Sequence, residues 1–395
     1  MSRAQRIAFV CPRFSEKGTV GGAETLLKAL AEQAAETGRE VDFLTTCAES
    51  HFTWENVLPA GSRRIGKLNV HFFPVESRDT ATFFRVQTAI SNRGNFTEHD
   101  EELWIRNSVN SEALYQHLRE NGNRYDRIVT GPYLFGVTYF ASLIHPSKTL
   151  MVPCLHDEPF AYLSIMQKLF RSVSGFMFNA EPERDLARRL FNIDPARCTV
   201  VGLGMDPFEA DPAAFAKRHK LTAPYVIFCG RRETGKGTPL LCDYMAAFRE
   251  RTGRDVRVVF TGSGPIEAPA SLEPFIMDLG FVSDREKHEA MAGAVAFIHP
   301  SVLESLGIVL LESWLARTPV LVHAKSEVLR WQCARSGGGL WFRGYPEFEE
   351  ELTLLLDQPD VRARLGKAGE AYVRSEYAWT AVRKRMFNAL DGAES

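Results

Sequence analysis

The stretch YVIFCGRRETGKGTPLL, residues 225–241, decides how this chain folds. Its first five residues are an apolar, β-rich run of the kind that makes a buried strand. Gly230 closes the run, and a helical pattern begins at Thr238. A strand that passes through a short loop into a helix is the building unit of a parallel sheet with crossover helices. The loop also carries chemistry: Arg231 and Lys236 stand five positions apart, and Gly235 and Gly237 flank the lysine. Two cations at the carboxyl end of a strand form a local well for a diphosphate, each charge-assisted hydrogen bond contributing roughly 1.5–3 kcal/mol.

The same stretch fits G-x-x-x-x-G-K, most of a nucleotide-hydrolase P-loop. Gly237, however, occupies the position that needs Ser or Thr for Mg²⁺, and no acidic strand end resembling a Walker B is present. An anion-binding loop of another kind and a solvated basic turn remain as readings.

Outward from residue 225 the alternation recurs in both directions. Downstream, strands are expected over 256–261, 275–279, 295–299, 319–323 and 340–342. Helices are expected over 238–251, 284–292, 307–316, 346–357, 361–376 and 379–390. Upstream, strands are expected over 6–11, 41–45, 69–73, 127–130, 149–154, 175–179 and 199–202, with helices over 23–36, 101–119, 159–171 and 182–191. The Pro- and charge-rich tract MDPFEADPAAFAKRHKLTAP, residues 205–224, reads as a linker with a short helix over 213–219. The expected organisation is an α/β chain of two Rossmann-like domains, 1–204 and 225–376. The closing helix in 377–395 is expected to cross back to the first domain. A chain of 395 residues is too long for one core and suits two. Open sheets of this kind bind ligands at the carboxyl ends of their strands, and two facing sheets would share one cleft.

Composition narrows the partners. The chain is 45% hydrophobic and 24% charged with a formal charge of −2, which argues against a nucleic-acid binder. The seven cysteines are scattered without C-x-x-C, a pattern of small buried hydrophobes and not of disulfides or zinc. No D-x-D and no H-x-x-H spacing occurs, so no metal is expected. The amino terminus enters a strand pattern directly, and the apolar stretch 131–144, broken by Gly and Pro, is too short to span a bilayer. A cytoplasmic protein is expected. Phe72-Phe73-Pro74 and Phe83-Phe84-Arg85 are the stretches that could touch a membrane surface or protein, with core packing as the competing reading.

Three further features carry chemistry. PRFSEKGTVGGAETLLKALAEQ, residues 12–33, puts Gly21 and Gly22 at the start of a helix, where backbone N–H groups approach an anion closely. VVFTGSGP, residues 258–265, ends a strand in a glycine turn at Gly262, and Glu267 breaks the dinucleotide fingerprint. HPSVLESLGIVLLESWLARTPVLV, residues 299–322, places Glu304 in the loop before an apolar helix opened by Gly307. Glu312 falls in the second turn of that helix, near its apolar face. A carboxylate there is costly without partners, and the paired hydroxyls of a ribose would supply them. An ordinary surface glutamate is the plainer reading. His156, at the carboxyl end of a strand, is placed to reach a ligand, with Asp157 as its expected orienting or capping neighbour.

In this order, the motifs resemble the GT-B retaining glycosyltransferases of family 4, also described as glycosyl transferases group 1. The resemblance runs over nearly the whole chain. It takes in Gly21-Gly22-Ala23-Glu24, His156-Asp157, Gly204-Met205-Asp206, Gly230-Arg231 with Lys236-Gly237, and Gly262-Ser263-Gly264-Pro265. It continues through Leu279-Gly280-Phe281-Val282, Pro300-Ser301, Glu304 with Glu312, Pro319-Val320 and Tyr377-Ala378-Trp379.

The resemblance implies a metal-independent enzyme that moves a sugar from a nucleotide-diphosphate sugar to a sugar, glycolipid or other hydroxyl acceptor. It implies that Arg231 and Lys236 neutralise the departing diphosphate and that Gly22 offers N–H groups to the distal phosphate. Glu312 would hold the ribose. Glu304 and the backbone of Ser305, Leu306 and Gly307 would hold the sugar. Val282 would meet the base through its backbone, and His156 would lie against the sugar. Gly21, Gly230 and Gly262 would belong to the donor-binding turns.

Three departures bear on donor identity. Glu304-Ser305-Leu306-Gly307 stands where E-P-F-G is common, Arg317 replaces a glycine, and Ala324-Lys325-Ser326-Glu327 replaces Gly-Gly-x-x-Glu. A nucleotide-sugar epimerase, a P-loop hydrolase and a non-catalytic nucleotide-sugar binder are the alternatives.

Overall fold

The computed structural model describes residues 5–16 and 21–392. The chain divides into two compact units. One comprises residues up to 203 together with those from 382 onward, and the other comprises residues 204–381.

The first unit holds strands β1 (Arg6–Val10), β2 (Glu40–Thr46), β3 (Gly61–Ile65), β4 (Leu68–Phe73), β5 (Arg127–Thr130), β6 (Thr149–Met151), β7 (Gly175–Phe178) and β8 (Cys198–Val200). They form one sheet in the order β3-β4-β2-β1-β5-β6-β7-β8. Only the β3–β4 pairing is antiparallel. The second unit holds β9 (Tyr225–Cys229), β10 (Arg257–Thr261), β11 (Ile276–Asp278), β12 (Phe297–His299), β13 (Val320–His323) and β14 (Gly339–Phe342). Its sheet is parallel throughout, in the order β11-β10-β9-β12-β13-β14. Continuous apolar runs such as IAFV in β1 and YVIFC in β9 are buried along their length, as strands covered on both faces must be.

In the second unit the chain moves from β9 to β10 and β11 on one side, then returns to lay β12, β13 and β14 on the other. The reversal lies between β9 and β12, and the loops leaving those two strands diverge there. In the first unit the corresponding reversal lies between β1 and β5. Such switch points are where open α/β sheets leave room for a ligand.

The structure corrects the sequence reading at several elements. The helix expected over 101–119 is two, Glu98–Arg106 and Glu112–Asn121. Asn110 accounts for the break: its amide donates to the carbonyls of Ile105, Arg106 and Ser108, and Ser111 then caps the second helix. The strand expected over 149–154 ends at Met151, because Pro153 lacks an N–H and Cys154 takes a left-handed φ of 52°. The segment expected as one helix over 159–171 is a 3₁₀ turn, Pro159–Tyr162, followed by the helix Ser164–Ser172. Strand β3 and the helices Thr80–Ser91, Gly136–Ile144 and Glu327–Ser336 were not expected at all.

Asp42 locks the amino-terminal end of the first sheet. It is 1% exposed and accepts hydrogen bonds from Arg6 Nη2 at 2.7 Å, Tyr125 Oη at 2.8 Å and Asn69 Nδ2 at 3.1 Å. Burial opposes its charge, but His71, Arg6, Asn69 and Tyr125 more than offset it and hold the carboxyl well below the usual carboxylate range. A carboxyl lowered on folding stabilises above the unfolded value, and its contribution fades as pH falls below about 4. Asp42→Ala, which removes the acceptor shared by Arg6, Tyr125 and Asn69, is therefore expected to cost about 3–5 kcal/mol in urea unfolding at pH 7, and distinctly less at pH 3.

Candidate functional site

At the switch point of the second sheet the strand-end loops are bound to one another in series. Gly230 donates to the Thr261 carbonyl at 3.0 Å, Arg232 to the Ser263 carbonyl at 2.7 Å, and Gly262 to the Gly280 carbonyl at 2.7 Å. Gly262 has φ +108°, and a Cβ at that position would overlap the Gly230 carbonyl. Gly237, with φ +71°, lets the loop after β9 close on the loop after β12, since a Cβ there would sit 2.8 Å from the Pro300 carbonyl oxygen. Both glycines are required by backbone approach.

Within this frame two consecutive arginines part company. Arg232 is 7% exposed and donates to Asp278 Oδ1 and to the Gly264 carbonyl, each at 2.7 Å, bracing the loops after β9, β10 and β11. Arg231 is half exposed, with Glu233 Oε1 3.5 Å from its Nη2. The sequence reading missed the brace. Its signal was the doublet itself, because successive residues in extended chain point to opposite sides.

Lys236 ends a 3₁₀ turn, Thr234–Lys236, directly before the helix Thr238–Thr252. Its Nζ donates to Glu304 Oε1 at 2.6 Å, joining the loop after β9 to the loop after β12. The same oxygen lies 3.1 Å from His299 Nε2. Burial works against the charge on Glu304, but Lys236 and His299 outweigh it and hold the carboxyl well below its ordinary range. Glu304 is thus an anion fixed between two nitrogen donors. His299 is a second functional contact that the sequence reading missed, although it ends β12 just before Pro300-Ser301.

Beyond Glu304 the chain passes through half-buried Ser305 and buried Leu306 to Gly307, which starts the helix Ile308–Leu315. No side chain caps this helix, which leaves its first turn suited to an outside acceptor. Glu312 lies in its second turn. One of its oxygens, Oε1, accepts from Lys287 Nζ at 2.9 Å, while Oε2 is buried with no hydrogen-bond partner among the described residues. Burial pushes this carboxyl up, and Lys287 only partly opposes that. Burial pushes the thiol of Cys229, the last residue of β9, up to about 12, with the charge of Glu312 a further contributor. Half-buried Val282 precedes Ser283, whose hydroxyl caps the helix Asp284–Gly293 by accepting from the Glu286 N–H. The structure therefore gathers Gly230, Lys236, Gly262, Glu304 and Gly307 on mutually bonded loops. Arg231 and Val282 lie on the same loops, and Glu312 lies on the helix that follows Gly307. Among the described residues, no three His, Cys, Asp or Glu side chains are grouped to hold a metal ion.

In the first unit, Gly21 precedes the helix Gly22–Glu36, which has no side-chain cap among the described residues. A buried ion pair between Arg13 and Glu24 supports this turn, and a Cβ on Gly21 would overlap the Glu24 carboxylate. His156 follows β6 and is partly exposed. Its expected neighbour is corrected: Asp157 accepts from Tyr162 Oη and Arg189 Nη2, and Glu158 faces the ring instead, 3.4 Å from Nδ1. Pro159 starts a 3₁₀ turn immediately afterwards.

Residues 210–372 match the family described as Glycosyl transferases group 1. Over 96% of its length the chain is 30% identical to 96% of a D-inositol 3-phosphate glycosyltransferase from Frankia alni. It is 27% identical to another D-inositol 3-phosphate glycosyltransferase, from Corynebacterium glutamicum, across 58% of this chain, a match that spans 59% of that relative's length. Its fold is similar to that of Anabaena HepE, solved in complex with UDP and glucose, with a TM-score of 0.69 and 16% identity over 98% of this chain and 99% of the other. No helix among the described residues is long and apolar enough to cross a membrane.

The loop weave gives a direct test. Gly262→Ala forces both a strained φ and an overlap with the Gly230 carbonyl, so it is expected to destabilise by about 2–4 kcal/mol. Urea unfolding checks it, and Gly253→Ala, with a positive φ but open space around it, is expected to cost clearly less.

Proposed function

Because this chain belongs to the glycosyl transferases group 1 family and has the GT-B fold, we propose that it is a retaining, metal-independent enzyme. It would move a sugar from a nucleotide-diphosphate sugar to an acceptor hydroxyl in glycan, polysaccharide or glycolipid synthesis. The observation that carries the donor assignment is the buried Oε2 of Glu312, which has no hydrogen-bond partner among the described residues, on the helix that follows Gly307. A buried carboxylate oxygen without a donor is costly, and a ribose hydroxyl is a donor of the right size and chemistry.

In this reading the diphosphate lies over the loop after β9. Arg231 and Lys236 meet its charge, and Gly230, Gly262 and Gly237 allow the backbones to close beneath it. Lys236, resting on Glu304 in the free protein, is positioned to stabilise the negative charge that grows on the leaving diphosphate, with no metal in the scheme. The backbone at Val282 meets the base. Glu304, Ser305, Leu306 and Gly307 hold sugar hydroxyls, so that anomeric carbon and leaving group are fixed in orientation. Retention corresponds to acceptor attack on the face from which the diphosphate leaves. The relatives' named activities put inositol 3-phosphate first among acceptors to test.

Three outcomes are expected. Lys236→Ala lowers turnover by ~10²–10³, the scale of losing one transition-state charge stabiliser, and a variant with the native rate would remove the lysine from the mechanism. Glu312→Gln weakens nucleoside-diphosphate binding by about 1–3 kcal/mol in calorimetry with UDP, GDP and ADP, and unchanged affinity would refute the ribose contact. Transfer persists in excess EDTA, whereas loss of activity restored by a divalent cation would overturn metal independence.

A further inference from the structure

His299 is the last residue of β12 and is 5% exposed, packed near the rings of Phe228 and Phe297. A strand end in such surroundings asks for an aliphatic side chain. The imidazole instead leaves Nδ1 buried with no hydrogen-bond partner among the described residues, at a cost, while Nε2 lies 3.1 Å from Glu304 Oε1. What the histidine gains is this one contact. The oxygen it meets is also the acceptor for Lys236 Nζ at 2.6 Å.

Two donors on one carboxylate oxygen have a consequence for ligand binding. A diphosphate carries more negative charge than a carboxylate and competes for the lysine. If Lys236 were the sole partner, drawing it away would leave Glu304 as an unpaired anion in a largely buried place, and the ligand would have to offset that loss. With Nε2–H already on Oε1, the carboxylate keeps a donor and its orientation when the lysine departs.

From this geometry we infer that His299 is a positioning residue that holds Glu304 in place while Lys236 transfers from Glu304 to the diphosphate of the donor. The inference rests on the donor site proposed above. It adds a two-partner exchange in which the lysine is released to the ligand and the histidine stays. His299 touches neither donor nor acceptor. Its effect reaches the ligand through Glu304 and the ease with which Lys236 is given up.

The test is a double-mutant cycle read by calorimetric titration with UDP, GDP and ADP, alongside thermal unfolding. His299→Leu is expected to weaken binding of whichever nucleotide the native protein takes by about 10- to 100-fold, the scale of one hydrogen bond to a charged group. Its melting temperature should hold or rise, because an unpartnered buried nitrogen is removed. His299→Gln, whose amide reaches as Nε2 does, should recover affinity to within a few-fold of native. His299→Asn, too short to reach Glu304, should resemble Leu, and it keeps the test open if Leu does not fold. In a Lys236→Ala background the Leu substitution should cost little further affinity, since no lysine remains to exchange. Native affinity in His299→Leu would overturn the inference while leaving the donor site standing. An equal loss with and without Lys236 would do the same, by showing that His299 acts on the fold. If the native protein binds none of the three nucleotides, the donor site itself fails and this inference with it.

Discussion

The ion pair between Lys236 and Glu304 is the contact on which the second unit's chemistry turns. It joins the loop after β9 to the loop after β12, which the topology sends in opposite directions. No run of ladder hydrogen bonds would hold those loops together beyond the strand ends. Two opposite charges a few ångströms apart in a partly shielded place attract with about 4 kcal/mol at an effective dielectric of 20. That is enough to order a lysine side chain and too little to withhold it from a more highly charged anion. A cation kept ready by a carboxylate costs little to redirect. A cation standing alone in the same place would pay in desolvation or lose its proton.

The pair can work this way because the backbone beneath it is fixed. Gly262 and Gly237 allow carbonyl and N–H groups of four loops to meet at distances that a Cβ would forbid, and the buried guanidinium of Arg232 ties three of those loops together. Glycine supplies the approach and arginine the stiffness. Electrostatic stabilisation of a leaving group depends on donors that need not reorganise when charge develops, and a network of short backbone hydrogen bonds provides that constancy.

Much of this was legible in the sequence. The strand at residues 225–229 has the bounds expected of it, because an unbroken apolar run ended by glycine has one good interpretation. The positions of Glu304 before a helix and Glu312 in its second turn followed from Gly307. Less could be read where polar side chains act on the backbone: Asn110 capping the end of one helix, or Ser326 starting the helix Glu327–Ser336. The edge strand β3, GSRRI, is largely exposed and carries no buried periodicity, so it gave no signal. Partnerships across the fold were out of reach altogether. Spacing placed Asp157 beside His156, yet it is Glu158 that faces the ring while Asp157 pairs with Tyr162 and Arg189. Nothing in HPSVLES says that the histidine reaches over five residues to the glutamate.

The two glutamates of that segment show how one stretch of chain makes two different groups. Glu304 precedes the helix and meets Lys236 and His299, so it stays an anion far below the pH at which an ordinary carboxyl gains a proton. Glu312 sits in the second turn of that helix, with Lys287 on one oxygen and no partner on the other among the described residues, and burial raises it. Carboxyls driven in opposite directions by their surroundings take different tasks. The lowered one is a fixed charge that can position a cation and accept from sugar hydroxyls. The raised one gains most from a neutral donor such as a hydroxyl, which satisfies Oε2 without bringing a second charge into an apolar place. Spacing on the helix is what separates the two environments, and in the proposed function that separation lets a single segment address both ends of one nucleotide-sugar.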